Sequence, residues 1–286
     1  HTPTPPPPPP TPHVCRRQRQ MCIRDSGYTV LLADGRRDPE RELESLDILA
    51  EREVDGMIIA STAVSRRHRE RILELHCPAV IVNSESTVPS VPAVMSDNVM
   101  GGRIAAEHVL DLGHRSIVFI GDDDDHNSAV QARIAGARAA VAERERADLR
   151  FRAMASVDIS DGAVESGIRA ARELVEAAFE ETAVLCRNDL SAIGVMRGLI
   201  DAGHRIPEDI SVVGYDDIEL AAYVDPSLTT VRQSTEEMAR LALEDLFARL
   251  GQIPDRPEVD GDGPAGETTR VPVELVARRS TGPAPA

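Results

Sequence analysis

Two polar side chains in the sequence follow predicted strands at the points where those strands end. Asn188 comes shortly after the apolar run Ala183–Cys186, and Asp216 directly follows the run Ile210–Tyr215. An amide side chain offers both a hydrogen-bond donor and an acceptor, whereas an ionised carboxylate only accepts. Groups of this kind suit the reversible recognition of a small polar molecule in a shielded cleft.

The residues between these two strands predict a helix. Leu190–Ala202 places its apolar residues at helical spacing, and Asp189 or Ser191 is a suitable N-cap. The segment is therefore a β-α-β unit, whose two strands lie parallel in a sheet covered by helices. In open sheets of that kind, ligands bind beyond the carboxyl ends of the strands. Asn188 and Asp216 occupy those ends.

Two other acidic features allow either a chemical role or a structural one. Asp97 precedes a predicted helix, where an aspartate is more often an N-cap than a ligand. The run Asp122–Asp125 with His126 offers oxygen ligands suited to calcium or magnesium. It lacks the interleaved spacing of a calcium-binding loop, so a solvated loop at the cleft edge is favoured. We expect neither a metal nor a cofactor.

Composition excludes several classes of function. The chain has 286 residues, 42% of them hydrophobic, which is enough to build two ordinary cores. Its net charge of −16 repels polyanions, and its 2% aromatic content, with no Trp, leaves few platforms on which bases could stack. No apolar run reaches the roughly 18 residues of a membrane span. The four cysteines show no paired short spacing, which favours reduced thiols and a cytoplasmic protein.

Catalytic motifs are likewise missing from the sequence. It contains no G-x-S-x-G elbow, no cluster of metal ligands and no phosphate-binding loop. Asp216 and Asp217 are neighbours in a turn and need not face each other as an acid–base pair would. We therefore expect a binding protein, not an enzyme.

The first 26 residues differ in character from the rest of the chain. Residues 1–12 are dominated by proline, and Val14–Ser26 follows neither helical nor strand periodicity. The second stretch resembles translated sequencing-adapter read-through. We interpret residues 1–26 as a disordered Pro-rich and basic segment that is foreign to the native protein.

From Gly27 onward, predicted strands alternate with predicted helices. This alternation is typical of α/β proteins with doubly wound parallel sheets. The predicted strands are Tyr28–Ala33, Val54–Ala60, Ala79–Val82, Val94–Ser96, Ile117–Ile120, Phe151–Ala155, Ala183–Cys186, Ile210–Tyr215 and Thr269–Val276.

Several segments, in this order, resemble the LacI/GalR family of bacterial transcription regulators. The resemblance covers essentially all of Gly27–Thr281 and is specific for the effector-binding, dimerising core of that family. The segments that carry it are Gly27–Leu31, Val54–Ile59, Ser96–Asp122, Ala132–Gly136, Thr182–Gln233 and Val271–Thr281.

The resemblance implies a type I periplasmic-binding-protein-like fold. Two doubly wound parallel-sheet subdomains would be joined by three crossovers, with the effector in the cleft between them. The crossovers would fall near Gly113–Ser116, near Val231–Gln233 and before Thr269. The implied first subdomain is 27–114 plus 233–262, the second is 115–232 plus 268–281, and 282–286 form a tail.

The resemblance also implies which residues contact the effector. Arg133 stands at the arginine of the family's R-x-x-G motif, and Asn188 and Asp216 stand at its other effector-binding positions. Gln233 lies at a crossover, where it either contacts the ligand or braces the hinge. Asp97 is a further candidate, beside its role as a helix cap. The expected effector is a small polar metabolite, a sugar or a related compound.

The function implied is that of a regulator core. A homodimer would bind effector, change the angle between its subdomains and so alter operator affinity. Family members begin with a helix-turn-helix, which this sequence does not contain, so operator DNA is expected as a partner of the full-length protein only. The alternative is a solute-binding protein of a sugar transport system, which would need a signal peptide or a lipid-anchor cysteine.

Overall fold

A computed structural model describes residues 28–35, 38–61, 64–122, 128–145, 147–154, 163–250 and 266–285. The chain divides into two compact units, residues 1–52 and residues 53–286. Residues 1–26, interpreted as a foreign segment, lie outside the described residues, and so do residues 123–126 of the acidic run that begins at Asp122.

The first unit contains helix α1 (Pro39–Glu51). Its N-cap is Asp38, whose carboxylate accepts hydrogen bonds from the amides of Glu40 at 3.0 Å and Arg41 at 3.4 Å. The predicted strand Tyr28–Ala33 is wrong, because the described residues 28–35 form no ladder with any other described strand. A strand requires a hydrogen-bonded partner, which an apolar run alone does not supply.

The second unit alternates strands and helices along the chain. Its strands are β1 (Met57–Ala60), β2 (Ala79–Val82), β3 (Ala93–Ser96), β4 (Ser116–Asp122), β5 (Asp148–Met154), β6 (Ala183–Cys186), β7 (Ser211–Asp216), β8 (Thr229–Gln233), β9 (Thr268–Val271) and β10 (Val273–Val276). Its α-helices are α2 (Arg66–Leu73), α3 (Asn98–Asp111), α4 (Ser128–Ala142), α5 (Ala163–Glu176), α6 (Asp189–Asp201) and α7 (Thr235–Arg249), and a 3₁₀ turn spans Glu219–Ala222.

The strands form two sheets. The smaller sheet has the order β1-β2-β3-β9 with all strands parallel. Helix α7 covers it, burying Met238, Ala242 and Leu246 against Val80 and Val94. The larger sheet has the order β10-β8-β7-β6-β4-β5, and β10 alone among these strands runs antiparallel to its neighbour. The predicted α/β class with two parallel sheets flanked by helices is confirmed.

Helices cover both faces of the larger sheet, as the side-chain alternation along its strands requires. Val118 and Ile120 point into the core beneath α5 and α6. Ile117 and Phe119, which alternate with these residues along β4, point into the core beneath α3 and α4. Both faces of β4 are therefore apolar, which explains its continuous apolar run in the sequence.

Two crossovers differ from the predicted positions. The predicted single strand Thr269–Val276 is two strands that belong to different sheets, because Pro272 has no amide hydrogen with which to continue a ladder. Helix α3, which the predicted first subdomain includes, packs on α4 and on the larger sheet. The chain therefore passes from the smaller sheet to the larger one after Ser96, before α3 and not at Gly113–Ser116.

The residues after β10 are bound closely to the larger sheet. His114 is completely buried, and its imidazole forms hydrogen bonds with Thr182 Oγ1 at 2.9 Å, Ser211 Oγ at 3.0 Å and the Gly282 carbonyl at 3.1 Å. The amide of Ala284 donates to the carbonyl of Leu112 at 2.9 Å. Residues 282–285, predicted as part of a tail, thus hold the turn after α3 in place.

Candidate functional site

The candidate site lies at the carboxyl end of the larger sheet. Strand β4 leads to β5 on one side of itself, whereas the following strand, β6, pairs on its other side. Loops that leave neighbouring strands in opposite directions open a crevice at such a switch point. Helix α4, which follows β4, and Asn188, which follows β6, border this crevice from its two sides.

Arg133 on α4 is held over the crevice by several contacts. Its Nε donates to Asn98 Oδ1 at 2.8 Å, and its Nη1 donates to the carbonyl oxygen of Arg187. The guanidinium also lies over the ring of Tyr215, 3.5 Å from the ring centroid, in a cation–π contact. The side chain is only 6% exposed, so a buried positive charge is fixed in orientation at the ends of β6 and β7.

Glycines allow α4 to approach closely enough for these contacts. A β-carbon at Gly136 would overlap the carbonyl oxygen of Val99 on α3, and one at Gly102 would overlap the carbonyl oxygen of Arg133. Gly136 lies three residues after Arg133, on the same face of the helix. The R-x-x-G spacing therefore combines a charged side chain with the close helix crossing that places it.

Tyr215 is buried beneath the arginine. It is 2% exposed, and burial raises the pKa of its phenol to about 12, so the hydroxyl stays neutral at physiological pH. A β-carbon at Gly101 would overlap this hydroxyl, so the ring fills the space left by that glycine. Because the ring is buried and Arg133 covers one of its faces, Tyr215 offers no open face on which a ligand could stack. Tyr223, which follows the 3₁₀ turn, is 76% exposed.

A chain of hydrogen bonds connects the two sheets at this site. Gln233 Nε2 donates to Asp216 Oδ1 at 2.5 Å, and Ser96 Oγ donates to Gln233 Oε1 at 2.8 Å. Asp216 ends β7 of the larger sheet, Ser96 ends β3 of the smaller sheet, and Gln233 ends β8 just before α7. We name these three residues the interdomain chain. Of the two roles left open for Gln233, its contacts here are those of a brace.

Asn188 caps α6, which corrects the predicted N-cap at Asp189 or Ser191. Its Oδ1 accepts from the amide of Ser191 at 2.9 Å, and the amide of Asn188 donates to Ser191 Oγ at 3.3 Å, forming a reciprocal capping box. The helix begins one residue earlier than the apolar periodicity indicated. The side-chain amide nitrogen of Asn188 has no hydrogen-bond partner among the described residues.

Asp97 is a helix cap, which is the structural one of the two roles predicted for it. Its carboxylate accepts from the amide of Met100 at 3.0 Å at the start of α3. A contact with the effector stays a prediction for this residue.

Residues that the sequence did not predict as effector contacts complete the site. Asn98 orients Arg133, and Ser96 anchors Gln233. Asp217 Oδ1 and Oδ2 accept from Arg278 and Arg232, each at 2.6 Å. Although burial raises its pKa, these arginines lower the pKa of Asp217 overall. Their partners are up to 137 residues away in sequence, so no local pattern could have identified them.

Two features that would indicate other functions are missing from the described residues. No group of three or more histidine, cysteine or acidic side chains among them is arranged to hold a metal ion. No helix in the described part of the chain is long and apolar enough to cross a membrane.

Two sheets of mainly parallel strands, joined by several crossovers and with polar side chains meeting where the strands end, define the class of periplasmic-binding-protein-like ligand-binding proteins. In agreement, a family model described as a periplasmic binding protein-like domain matches residues 106–281.

Comparisons with individual proteins narrow the class. The chain is 33% identical over 234 residues to the HTH-type transcriptional repressor PurR of Vibrio atlanticus (strain LGP32), covering 80% of this chain and 67% of that protein. It is 31% identical over 230 residues to the ribose operon repressor of Escherichia coli (strain K12), covering 80% and 68%. A LacI family transcriptional regulator from Enterococcus faecium, solved with bound ribose, superposes with a TM-score of 0.76 at 30% identity, covering 94% of this chain and 92% of that one.

This chain belongs to the LacI/GalR family of transcriptional regulators. Residues of its second unit form the effector-binding core, which is a regulatory binding module and not an enzyme.

Proposed function

We propose that this core senses a small sugar and passes the binding event to operator DNA through a DNA-binding headpiece of the full-length protein. The effector would lie in the crevice against Arg133, Asn188, Asp216 and Gln233, with Asp97 at its edge. The protein would act in the cytoplasm as a homodimer. The observation that carries the proposal is the interdomain chain, because the carboxylate proposed to accept the effector, Asp216, is hydrogen bonded to Gln233, which is bonded in turn to Ser96 of the smaller sheet.

The chemistry of the site favours a polyhydroxylated effector. Asp216 offers a carboxylate to sugar hydroxyls, and Asn188 offers amide hydrogens at the end of the neighbouring strand. Purine recognition relies on aromatic faces, yet the ring of Tyr215 is covered by Arg133. The Enterococcus faecium regulator was solved with bound ribose, which is consistent with a small sugar as the effector here.

Coupling to DNA would follow from a change in the interdomain chain. An effector hydroxyl that donates to Asp216 competes with Gln233 for that carboxylate. If the effector binds one angle between the sheets more tightly than another, it shifts the protein toward that angle. The same difference in affinity would then appear in operator binding by the full-length protein.

Calorimetric titration of the chain with D-ribose, D-xylose, cellobiose and hypoxanthine tests the proposal. We expect one of the sugars to bind and Asp216→Ala to weaken that binding by about 100-fold, since a hydrogen bond to a charged group is lost. Asp201→Asn, on the exposed end of α6, serves as the matched acidic control and should leave the affinity unchanged. Binding of hypoxanthine but of no sugar would contradict the proposed effector class.

A further inference from the structure

Asp189, at the first position of α6, is a completely buried carboxylate that the capping of the helix does not use. Its Oδ1 accepts a hydrogen bond from Thr230 Oγ1 at 2.5 Å, and its Oδ2 accepts from the backbone amide of Ile218 at 2.9 Å. One side chain therefore joins three elements: α6, strand β8 and the turn that follows β7.

That turn has an unfavourable backbone conformation. Asp216 has a φ of 119° and Asp217 a φ of 55°, values that residues with a β-carbon seldom adopt. Such conformations persist only where the surroundings hold them. On one side, Arg232 and Arg278 hold the side chain of Asp217. On the other side, Asp189 holds the next amide in the chain.

Packing around Asp189 fits this role. A β-carbon at residue 214 would overlap Asp189 Oδ1, so the glycine in β7 leaves the space that the carboxylate fills. The carboxylate therefore reaches past the end of β7 to the turn, and among the described side chains it alone accepts a hydrogen bond from the Ile218 amide.

We infer that Asp189 is a positioning residue for effector binding: by holding the Ile218 amide it fixes the turn 216–218 and thereby the direction in which Asp216 presents its carboxylate. The part of this inference that concerns the effector rests on the proposed function. The part that concerns the turn does not, and it can be tested without a ligand.

Asparagine can replace Asp189 in this role, whereas alanine cannot. Burial raises the pKa of Asp189 to about 7, so its neutral form is accessible near physiological pH. A neutral carboxyl accepts from the Ile218 amide through its carbonyl oxygen and donates to Thr230, whose hydroxyl can accept. The amide of asparagine has the same pair of functions.

The test compares Asp189→Ala and Asp189→Asn with Ser211→Ala in the full chain. Ser211 is also completely buried and hydrogen bonded, but it lies at the opposite end of β7 from the turn. In the ligand-free protein, the exchange rate of the Ile218 amide is measured by NMR. Affinity is measured by calorimetry with D-ribose as the probe.

We expect Asp189→Ala to speed exchange of the Ile218 amide at least about tenfold and to weaken D-ribose binding by about tenfold or more, because the buried hydrogen bond that fixes the turn is lost. Asp189→Asn should stay within about threefold of the native protein in both measurements, because it keeps the bond. Ser211→Ala should change neither. If Asp189→Ala does not fold, Gly214→Ala replaces it, because the added methyl group pushes the Asp189 carboxylate away from the turn without removing it. The results given for Asp189→Ala are then expected of Gly214→Ala.

The inference would be overturned if the Ile218 amide exchanged in Asp189→Ala at the rate of the native protein. It would also be overturned if this amide exchanged as fast in Ser211→Ala as in Asp189→Ala. Fast exchange with unchanged affinity for D-ribose would overturn its effector part. If native protein does not bind D-ribose, the sugar assignment fails for ribose, and the exchange measurement alone still decides whether Asp189 holds the turn.

Discussion

At the scale of single residues, Asp189 makes stability depend on pH. Its pKa is raised from an ordinary 3.8 to about 7, first by burial and further by the charges of Asp216 and Asp217. Between these two values the folded protein holds a proton that the unfolded chain releases, so the free energy of unfolding falls as pH rises through this range. The contribution of protonated Asp189 to the stability of the folded protein is fully present below about pH 4. It is lost as the pH rises through about 7.

Asp189→Asn removes this dependence. Relative to the native protein, the variant should gain stability steadily from about pH 4 to about pH 7, at up to about 1.4 kcal/mol for each unit of pH. Urea unfolding of both proteins at about pH 5 and about pH 8 measures the difference. Asp201→Asn, which changes an exposed carboxylate on the same helix, is the control. A difference between native protein and Asp189→Asn that is the same at both pH values would contradict a raised pKa.

Sequence patterns located part of this chemistry. Asn188 and Asp216 could be found because strand ends are visible as the ends of apolar runs. Asp189 was interpreted as a helix cap because its neighbours in sequence suggest one, whereas its partners Thr230 and Ile218 lie 41 and 29 residues away. Local patterns show which side chains end a strand but not which distant groups they meet.

At the scale of elements, the crossing of α3 and α4 determines where Arg133 lies. Gly136→Ala would place a methyl group against the carbonyl oxygen of Val99, which cannot move without shifting α3. We expect a loss of about 1 to 3 kcal/mol in unfolding free energy, as for other overpacked sites. Affinity for the sugar should fall as well, because Arg133 would withdraw from Asn98 and Tyr215.

Urea unfolding and calorimetry measure these two effects. Ala139→Ser, on the exposed face of the same helix, should change stability by less than about 0.5 kcal/mol. A Gly136→Ala protein with native stability and native affinity would show that the helices separate without cost.

Most elements of the second unit were predictable because their periodicity is strong, and α6 and β6 match their predicted bounds closely. Two strand predictions, one in each unit, failed for the same reason. Tyr28–Ala33 has a strand-like sequence without a paired strand among the described residues, and Thr269–Val276 changes sheets at Pro272. Which strands pair is decided by partners far along the chain, and this information is not in the local pattern.

At the scale of the whole molecule, the interdomain chain connects effector binding to the relation between the two sheets. Gln233→Leu keeps the approximate volume of the side chain but removes both its bond to Asp216 and its bond from Ser96. Asp216 and Ser96 then lose their connection, so the angle between the sheets should vary more in the ligand-free protein. A sugar that binds one angle best would also bind more weakly, because the competent angle is less populated.

Distances between spin labels on the two sheets measure this angle. Thr87 on the side of the smaller sheet and Asp201 on α6 are exposed and can carry labels as cysteines, once the native cysteines are replaced. In the native background we expect one distance distribution that narrows when D-ribose is added.

In Gln233→Leu the ligand-free distribution should broaden, and affinity should fall by about tenfold. Glu236→Gln, exposed in the first turn of α7, is the control and should match the native protein in both respects. An unchanged distribution together with weaker binding would assign Gln233 to ligand contact, whereas an unchanged distribution with unchanged affinity would remove the interdomain chain from both binding and coupling.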